Sequence, residues 1–460
     1  MCPSALIITH FSDIMCISYF NCGTETYMKA AFYTLGCKVN QYESQAMAQS
    51  LERHGVTIVD SAAQADVYII NSCTVTAESD RKTRQSVRRF KKLHPDSVVI
   101  LTGCMPQASP EAGEKLGEAD IVIGNRSNKL LYEYIMQYIN GSGRIVAIAP
   151  HETKESFGGD AVTEFRERTR AIVKIEDGCN RFCSYCIIPY ARGRVRSKPL
   201  DELRSEVASL AENGFCEIVL VGINLSAYGT ESGGNIVDAV RAAAAPEGIR
   251  RVRLGSLEPD HITDEVIAGL AEVKEFCPQF HISLQSGCDK TLKRMNRHYD
   301  SAEYYDLCSK LRAAFKDATI TTDVMVGFPG ETREDFEQSL EFVKKVGFEK
   351  VHVFPYSRRP GTPADKMPDQ VEQKEKEQRA AEMIRETNEI RRRFFESLVG
   401  TAVEILPEEY RSGFVQGYTA NYVPVRIPAE CEKCAELVQV KITGVSPDGE
   451  HCEGEIIQSI

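Results

Sequence analysis

The chain has 460 residues, a formal net charge of −11, 42% apolar and 26% charged residues, and 16 cysteines. That length exceeds the ~250–300 residues at which one hydrophobic core stops growing, so about three domains are expected. The acidic balance excludes wholesale coating of nucleic acid but leaves room for a local basic surface, and no run approaches the ~18 uninterrupted apolar residues of a membrane span.

At the start, residues 1–27 lack Lys and Arg, and His10 and Asp13 interrupt their apolar run, unlike a signal peptide. They read as an N-terminal extension or a start assigned too early, with Met28 just before the first strand-like run. A cytoplasmic location is therefore expected, where clustered cysteines read as metal ligands or catalysts rather than disulfides. From Ala30 to about Ile139, the runs AAFYTL, VYIINS, SVVILTG and DIVIGN alternate with stretches of helical period. This predicts an α/β domain with a doubly wound parallel sheet over residues 28–140. Residues 141–170, with GSG, Pro150 and GGD, read as a linker.

A second alternation (AIVKI, EIVLVG, RVRLGS, FHISLQ, TITTDVMVG, KVHVFPYS) lies between Ala171 and Ser357. Its six βα-type units over residues 171–370 predict an incomplete form of the eight-unit barrel, open on one side to a large substrate. Leu200, Leu203, Val207 and Leu210 form one helical stripe stopped by Gly214, and Thr332 with Asp335 resembles a capping box. Residues 371–399, dense in Glu, Lys and Arg, predict one long connecting surface helix. The runs TAVEIL, GFVQGY, YVPVRI, ELVQVKITGV and EGEIIQ over residues 400–460 predict a small all-β barrel.

Two cysteine trios carry chemistry. GCNRFCSYC, residues 178–186, puts Cys179, Cys183 and Cys186 in a CxxxCxxC loop directly after AIVKI. A 4Fe-4S cube normally takes four thiolates, so three would leave one iron with an exchangeable position. A zinc knuckle completed by a distant ligand, or three packing thiols, are the alternatives. The second trio, Cys37, Cys73 and Cys104, ends LGC, NSC and TGC at intervals of 36 and 31 residues. A βαβ repeat has about that length, which would bring the sulfurs to one carboxyl edge of a parallel sheet, where ligands bind. They could hold a second cluster, or be buried cysteines at strand ends. The loops GIN, SLEP, LQSG and GFPGE each follow a strand candidate, and Asn224, Glu258, Gln285, Ser286 and Gly327 are their candidate cofactor contacts.

With the aromatic Tyr185 before the last cysteine, the loop resembles the signature of the radical S-adenosylmethionine (SAM) superfamily. The resemblance implies SAM bound at the open iron and beside Tyr185. It further implies reductive cleavage to a 5′-deoxyadenosyl radical, and a flavodoxin or ferredoxin-type electron donor. A second trio in a separate domain, TLGCKVNQYES (Thr34 to Ser44), CNRFCSYCIIPYARGRVRS (Cys179 to Ser197), GFPGET and a TRAM-like terminal barrel together resemble the methylthiotransferase family. That resemblance runs from Lys29 nearly to the C-terminus. It implies two 4Fe-4S clusters, two SAM molecules per turnover, a sulfur donor, and the tRNA anticodon stem-loop as partner of a monomeric enzyme. GCKVNQYES with CIIPYARGRVRS is most similar to the bacterial branch that inserts methylthio at C2 of N6-threonylcarbamoyladenosine, position 37 of tRNA. The branches acting on isopentenyladenosine and on a ribosomal-protein aspartate are the alternatives within the family, and a two-cluster electron carrier the alternative outside it.

RNA contacts have local support. Seven of twelve residues from Arg81 to Lys92 are basic and none is acidic. Arg81, Arg84, Arg88 and Lys91 would share one helical face able to neutralise phosphates, or would simply be a solvated surface. Arg192, Arg194 and Arg196 alternate in what reads as an extended segment, and could project together toward RNA or be ordinary surface charge. Cys431 and Cys434 read as a solvent-facing hairpin turn rather than a zinc half-site, and Cys216, Cys277, Cys288 and Cys308 as packing residues.

Overall fold

Apolar runs of about six residues become the central strands of the first sheet, because strands buried on both faces need no polar alternation. The strands are β1 (Lys29–Thr34), β2 (Thr57–Val59), β3 (Val67–Ser72), β4 (Val98–Gly103), β5 (Ile121–Ile123) and β6 (Ile145–Ala147), parallel in the order β2-β1-β3-β4-β5-β6. Helix α1 (Lys38–Arg53) packs Met47 and Leu51 against Ala30, Val67, Ile69 and Ile100 on one face. Helix α2 (Ala77–Leu93) packs Val87 and Phe90 against Ala31, Tyr68, Ile70 and Leu101 on the other. The sheet is doubly wound, as expected, and its order reverses between β1 and β3, leaving a crevice at their carboxyl ends. Strands β2 and β6, three residues each, were not expected, and β6 lies in the span read as linker.

The computed structural model describes residues 28–152, 154–165, 168–428 and 436–459, so the readings of the extension over 1–27 and of Cys431 and Cys434 lie outside the described residues. In the central domain come β7 (Arg170–Lys174), the short pair β8 (Glu176–Asp177) and β9 (Arg196–Ser197), β10 (Glu217–Val221) and β11 (Arg251–Leu254). They are followed by β12 (Ser256–Leu257), β13 (Gln279–Ile282), β14 (Thr319–Val326) and β15 (Lys350–Pro355). Parallel ladders β11-β10-β7 and β12-β13-β14-β15 meet through the Val252–Phe276 bridge and make the expected open barrel. Side chains alternate across each strand. On β13 and β14, Phe280, Ile282, Ile320 and Val324 face the helices and join the main core, while Gln279, His281, Thr319, Thr321 and Asp323 line the inner cavity. The capping box at Thr332 forms with both of its hydrogen bonds.

The connecting helix, Gln373–Ser397, is less of a surface element than its composition predicted. Ala380, Met383 and Phe395 are buried, and Arg379 pairs with Glu331 at 2.7 Å. Its charged residues fall on both faces, which hides the apolar stripe from a reading of composition. Strands β16 (Ala402–Arg411), β17 (Phe414–Thr419), β18 (Pro424–Pro428), β19 (Val438–Val445) and β20 (Cys452–Ser459) close into the expected small barrel. Among the described residues, no helix is long and apolar enough to cross a membrane.

This barrel docks on the amino-terminal edge of β7, β10 and β11 through buried charge. Glu217, fully buried, receives Arg253 at 2.9 Å, Arg251 at 3.6 Å and Arg170 at 3.7 Å. The same arginines reach Glu404, Glu408 and the carbonyls of Tyr418, Thr419 and Ala420. Removing one partner of a buried ion group leaves uncompensated charge at a cost of about 3–5 kcal/mol. Glu217→Ala is therefore expected to lower unfolding free energy by about that amount in urea titrations, against about 1 kcal/mol or less for exposed Glu272→Ala.

Candidate active site

Cys37, Cys73 and Cys104 follow β1, β3 and β4, which are neighbours in the sheet, so all three lie at one edge, two of them beside the crevice. Close approach of their loops requires glycine. Gly36 has φ +105°, and a Cβ there would lie 2.7 Å from Cys73 Cβ. Buried Asn40 donates through Nδ2 to the carbonyls of Leu35, at 2.9 Å, and Ser72, at 2.8 Å, tying the Cys37 and Cys73 loops together. Burial pushes the Cys104 thiol up to about 12 and raises that of Cys73.

The second trio curls within one loop. Phe182, at φ +50°, turns the chain between Cys179 and Cys183, and its carbonyl accepts from Asn296 Nδ2 at 3.1 Å. Burial pushes the Cys186 thiol up to about 12 and that of Cys179 higher still. Arg297 points one guanidinium nitrogen at Cys183 Sγ and at Tyr185 Oη, each 3.4 Å away, and pairs with the Glu258 carboxylate. Among the described residues, no group of three His, Cys, Asp or Glu is disposed to hold a single metal ion. A cube binds each thiolate on its own iron, and two sets of three thiols on tight loops fit that chemistry.

The structure separates the remaining candidates. Asn224 is 3% exposed, and the Ile223 and Asn224 amides both donate to Glu176 Oε2 at 2.7 Å, fixing the GIN loop. Gln285, at φ +66°, keeps a buried Oε1 that accepts no hydrogen bond among the described residues, a polar group fit for a ligand donor. Ser286 Oγ accepts from the Cys288 amide at 3.2 Å. Gly327 serves packing: a Cβ there would lie 2.4 Å from Lys376 Cγ of the long helix.

The arginines after the loop behave differently from the extended, outward row expected. Helix Ile188–Arg192 intervenes, and Arg192 is fully buried where the first two domains meet. Its Nε donates to Cys104 Sγ at 3.2 Å, Nη2 donates to Asn40 Oδ1 at 2.9 Å, and the guanidinium pairs with Glu43. Lys174 completes the network, 2.7 Å from Glu43 and 2.6 Å from Asp177. Arg196 is buried too, donating to the carbonyls of Arg192 and Arg194. Arg194 alone of the three is exposed, lying over the Phe182 ring. On α2 the basic stripe forms, but Arg81 pairs with Glu78, Arg88 with Glu118 and Lys91 with Asp120. Arg84 alone of the four has no such partner among the described residues.

A cavity of about 1110 Å³ fills the open barrel and touches all three domains. Its wall includes Cys37 and Lys38, the inner residues of β13 to β15, and Tyr418, Tyr422 and Arg426 of the terminal barrel. That exceeds the ~300–1,000 Å³ of small-molecule pockets, so a nucleoside and its substituent would fit.

An open parallel barrel carrying a three-cysteine loop after its first strand defines a radical SAM enzyme, and the Radical SAM superfamily pattern matches residues 173–343. The solved radical SAM methyltransferase TsrM from Kitasatospora setae shares the fold, with a TM-score of 0.55 and 15% identity over 74% of this chain and 77% of that one. Residues 29–124 match Uncharacterized protein family UPF0004. Threonylcarbamoyladenosine tRNA methylthiotransferase MtaB of Bacillus subtilis is 38% identical, covering 90% of this chain and 93% of that protein. The Thermotoga maritima protein of that name is 36% identical over 92% and 97%. A tRNA-2-methylthio-N(6)-dimethylallyladenosine synthase of Pelotomaculum thermopropionicum is 34% identical over 90% and 95%. The chain belongs to the radical SAM methylthiotransferase family. Its cofactors are 4Fe-4S clusters and SAM.

Arg297, Glu43, Lys174 and Asp177 were not among the residues expected from the sequence. Asn40 and Glu43 lie inside TLGCKVNQYES, a usable signal, whereas Arg297 carries none. Arg192→Met removes the guanidinium shared by Glu43, Asn40 and Cys104 and leaves Glu43 with Lys174 as its buried counter-charge, and is expected to cost about 3 kcal/mol in urea unfolding. The double variant with Glu43→Gln should lose measurably less than the sum of the single losses.

Proposed function

We propose that this enzyme converts N6-threonylcarbamoyladenosine in tRNA to its 2-methylthio derivative, with Cys179, Cys183 and Cys186 holding one 4Fe-4S cluster and Cys37, Cys73 and Cys104 the other. The observation that carries this reading is that Cys37 opens onto the same cavity as the inner face of the radical SAM barrel. Sulfur held at the first trio can then reach a base bound inside the barrel. When bound, the clusters and two SAM molecules supply the radical and the methylated sulfur. The chain's own residues bind and orient. Tyr185, Glu258 and Arg297 form the polar edge beside Cys183, and Gln285 offers its unpaired carbonyl to SAM. The adenine must leave its loop to enter the cavity, since C2 lies on the base edge. Arg84, half-buried on α2, and Arg194, exposed beside the cluster loop, suit contact with anticodon-stem phosphates. A flavodoxin or ferredoxin-type donor and a separate sulfur donor would serve the enzyme in the cytoplasm.

Nucleoside mass spectrometry of tRNA from cells lacking the protein is expected to show loss of the methylthio group from threonylcarbamoyladenosine with dimethylallyladenosine derivatives unchanged. The reverse pattern would assign the other branch. After anaerobic reconstitution, the variant lacking Cys37, Cys73 and Cys104 should hold about half the wild-type iron and still cleave SAM. Wild-type iron content in that variant would remove the second cluster from the proposal.

A further inference from the structure

The cavity wall sets Lys38, Lys350, Arg391 and Arg426 against four carboxylates, Asp323, Glu349, Asp448 and Glu450. Each lining carboxylate is engaged: Asp323 with His281 at 3.2 Å, Glu450 with Arg391 at 2.5 Å, Glu349 with the Ile320 amide at 2.6 Å and Asp448 with Ser446 at 2.6 Å. Lys38, Lys350 and Arg426 line the same cavity and their side chains have no hydrogen bond or ion pair among the described residues, although Arg426 lies over the Phe414 ring. Lys38 immediately follows Cys37, and its ammonium lies near Arg170, Arg253 and Tyr422. In that corner Arg170, Arg251 and Arg253 face the carboxylates of Glu217, Glu404 and Glu408, and Arg168, which also lies near Lys38, donates to Gln41 Oε1 at 3.0 Å. Lys38 is the cation left over, on the wall shared with a thiol of the first trio.

We infer that Lys38 binds the free carboxylate of the substrate's N6 substituent and so selects a threonylcarbamoyl over a dimethylallyl group. This deepens the proposed function and rests on it. A threonylcarbamoyl group ends in a carboxylate, and a dimethylallyl group has no charge. A buried carboxylate needs a counter-charge, whereas an apolar tail beside an unpaired ammonium would leave that cation desolvated without compensation. Lysine meets this need as a point charge on a flexible stem, without fixed fork geometry. Lys350 and Arg426 remain available to backbone phosphates.

The test measures equilibrium binding of the full-length reconstituted enzyme to three anticodon stem-loop RNAs. One carries threonylcarbamoyladenosine, one its threonyl methyl ester and one dimethylallyladenosine. Wild type should bind the acid about 10- to 100-fold more tightly than the ester, the range of a charge-assisted contact. Lys38→Gln should abolish that ratio, and Lys38→Arg should keep most of it. A wild-type ratio of one overturns the inference without any variant, so a folding defect cannot mask the result. A ratio unchanged in Lys38→Gln also overturns it, as does an equal loss for acid and ester, which would make Lys38 a phosphate contact. Failure of the underlying reading is distinct: wild type would then bind and modify the dimethylallyl RNA in preference to the acid.

Discussion

A charge removed from water must be met by an opposite charge or a hydrogen bond, and the arrangement of this enzyme depends on how Arg192 satisfies that demand. It sits fully buried where the helix after the cluster loop meets the first domain. Its nitrogens are shared among Glu43, Asn40 and Cys104. Asn40 in turn ties the loops of Cys37 and Cys73. One guanidinium thereby sets the position of one thiol trio relative to the other. Apolar packing could hold the domains together, but only directional donors hold two sulfur-bearing edges in one orientation.

The same device recurs at the opposite edge of the barrel's first ladder. Lys174 ends β7 in the Glu43 network, and Arg170 begins it in the Glu217 network. Apolar cores lie on the helix side of the strands, so the concave side is free to be polar. Buried ion groups thus clamp three domains around a polar chamber, while Val39, Tyr42 and Ala46 of α1 also join the apolar core of the barrel. A chamber of that character suits a base bearing a charged substituent, which an oily pocket would reject.

Much of the architecture is legible in the amino-acid sequence. Strands β1, β3 and β4 and the barrel strands announce themselves as apolar runs between helical periods, and the cysteine intervals match a βαβ repeat. Strands β2 and β6 are not legible, because three residues carry no pattern. The basic stripe on α2 reads as free charge because Glu118 and Asp120 come from another part of the chain, and Glu78, the partner of Arg81, lies one turn before the stripe begins. The row of arginines after the cluster loop misleads for a related reason. Alternation in sequence implies a shared face only in a strand, and Arg192 closes a helix.

The sequence alone carried the spacing of the two thiol trios and the periodicity behind the order of elements, because these are local properties that survive without a fold, and the resemblance of its motifs pointed to the family. Tertiary structure decided which charges are buried and what they hold. Glu43 and Arg192 stand 149 residues apart, and Arg359 and Asp80 stand 279 apart. No local pattern foretells partners at such separations, since burial and pairing exist only once the chain has closed upon itself.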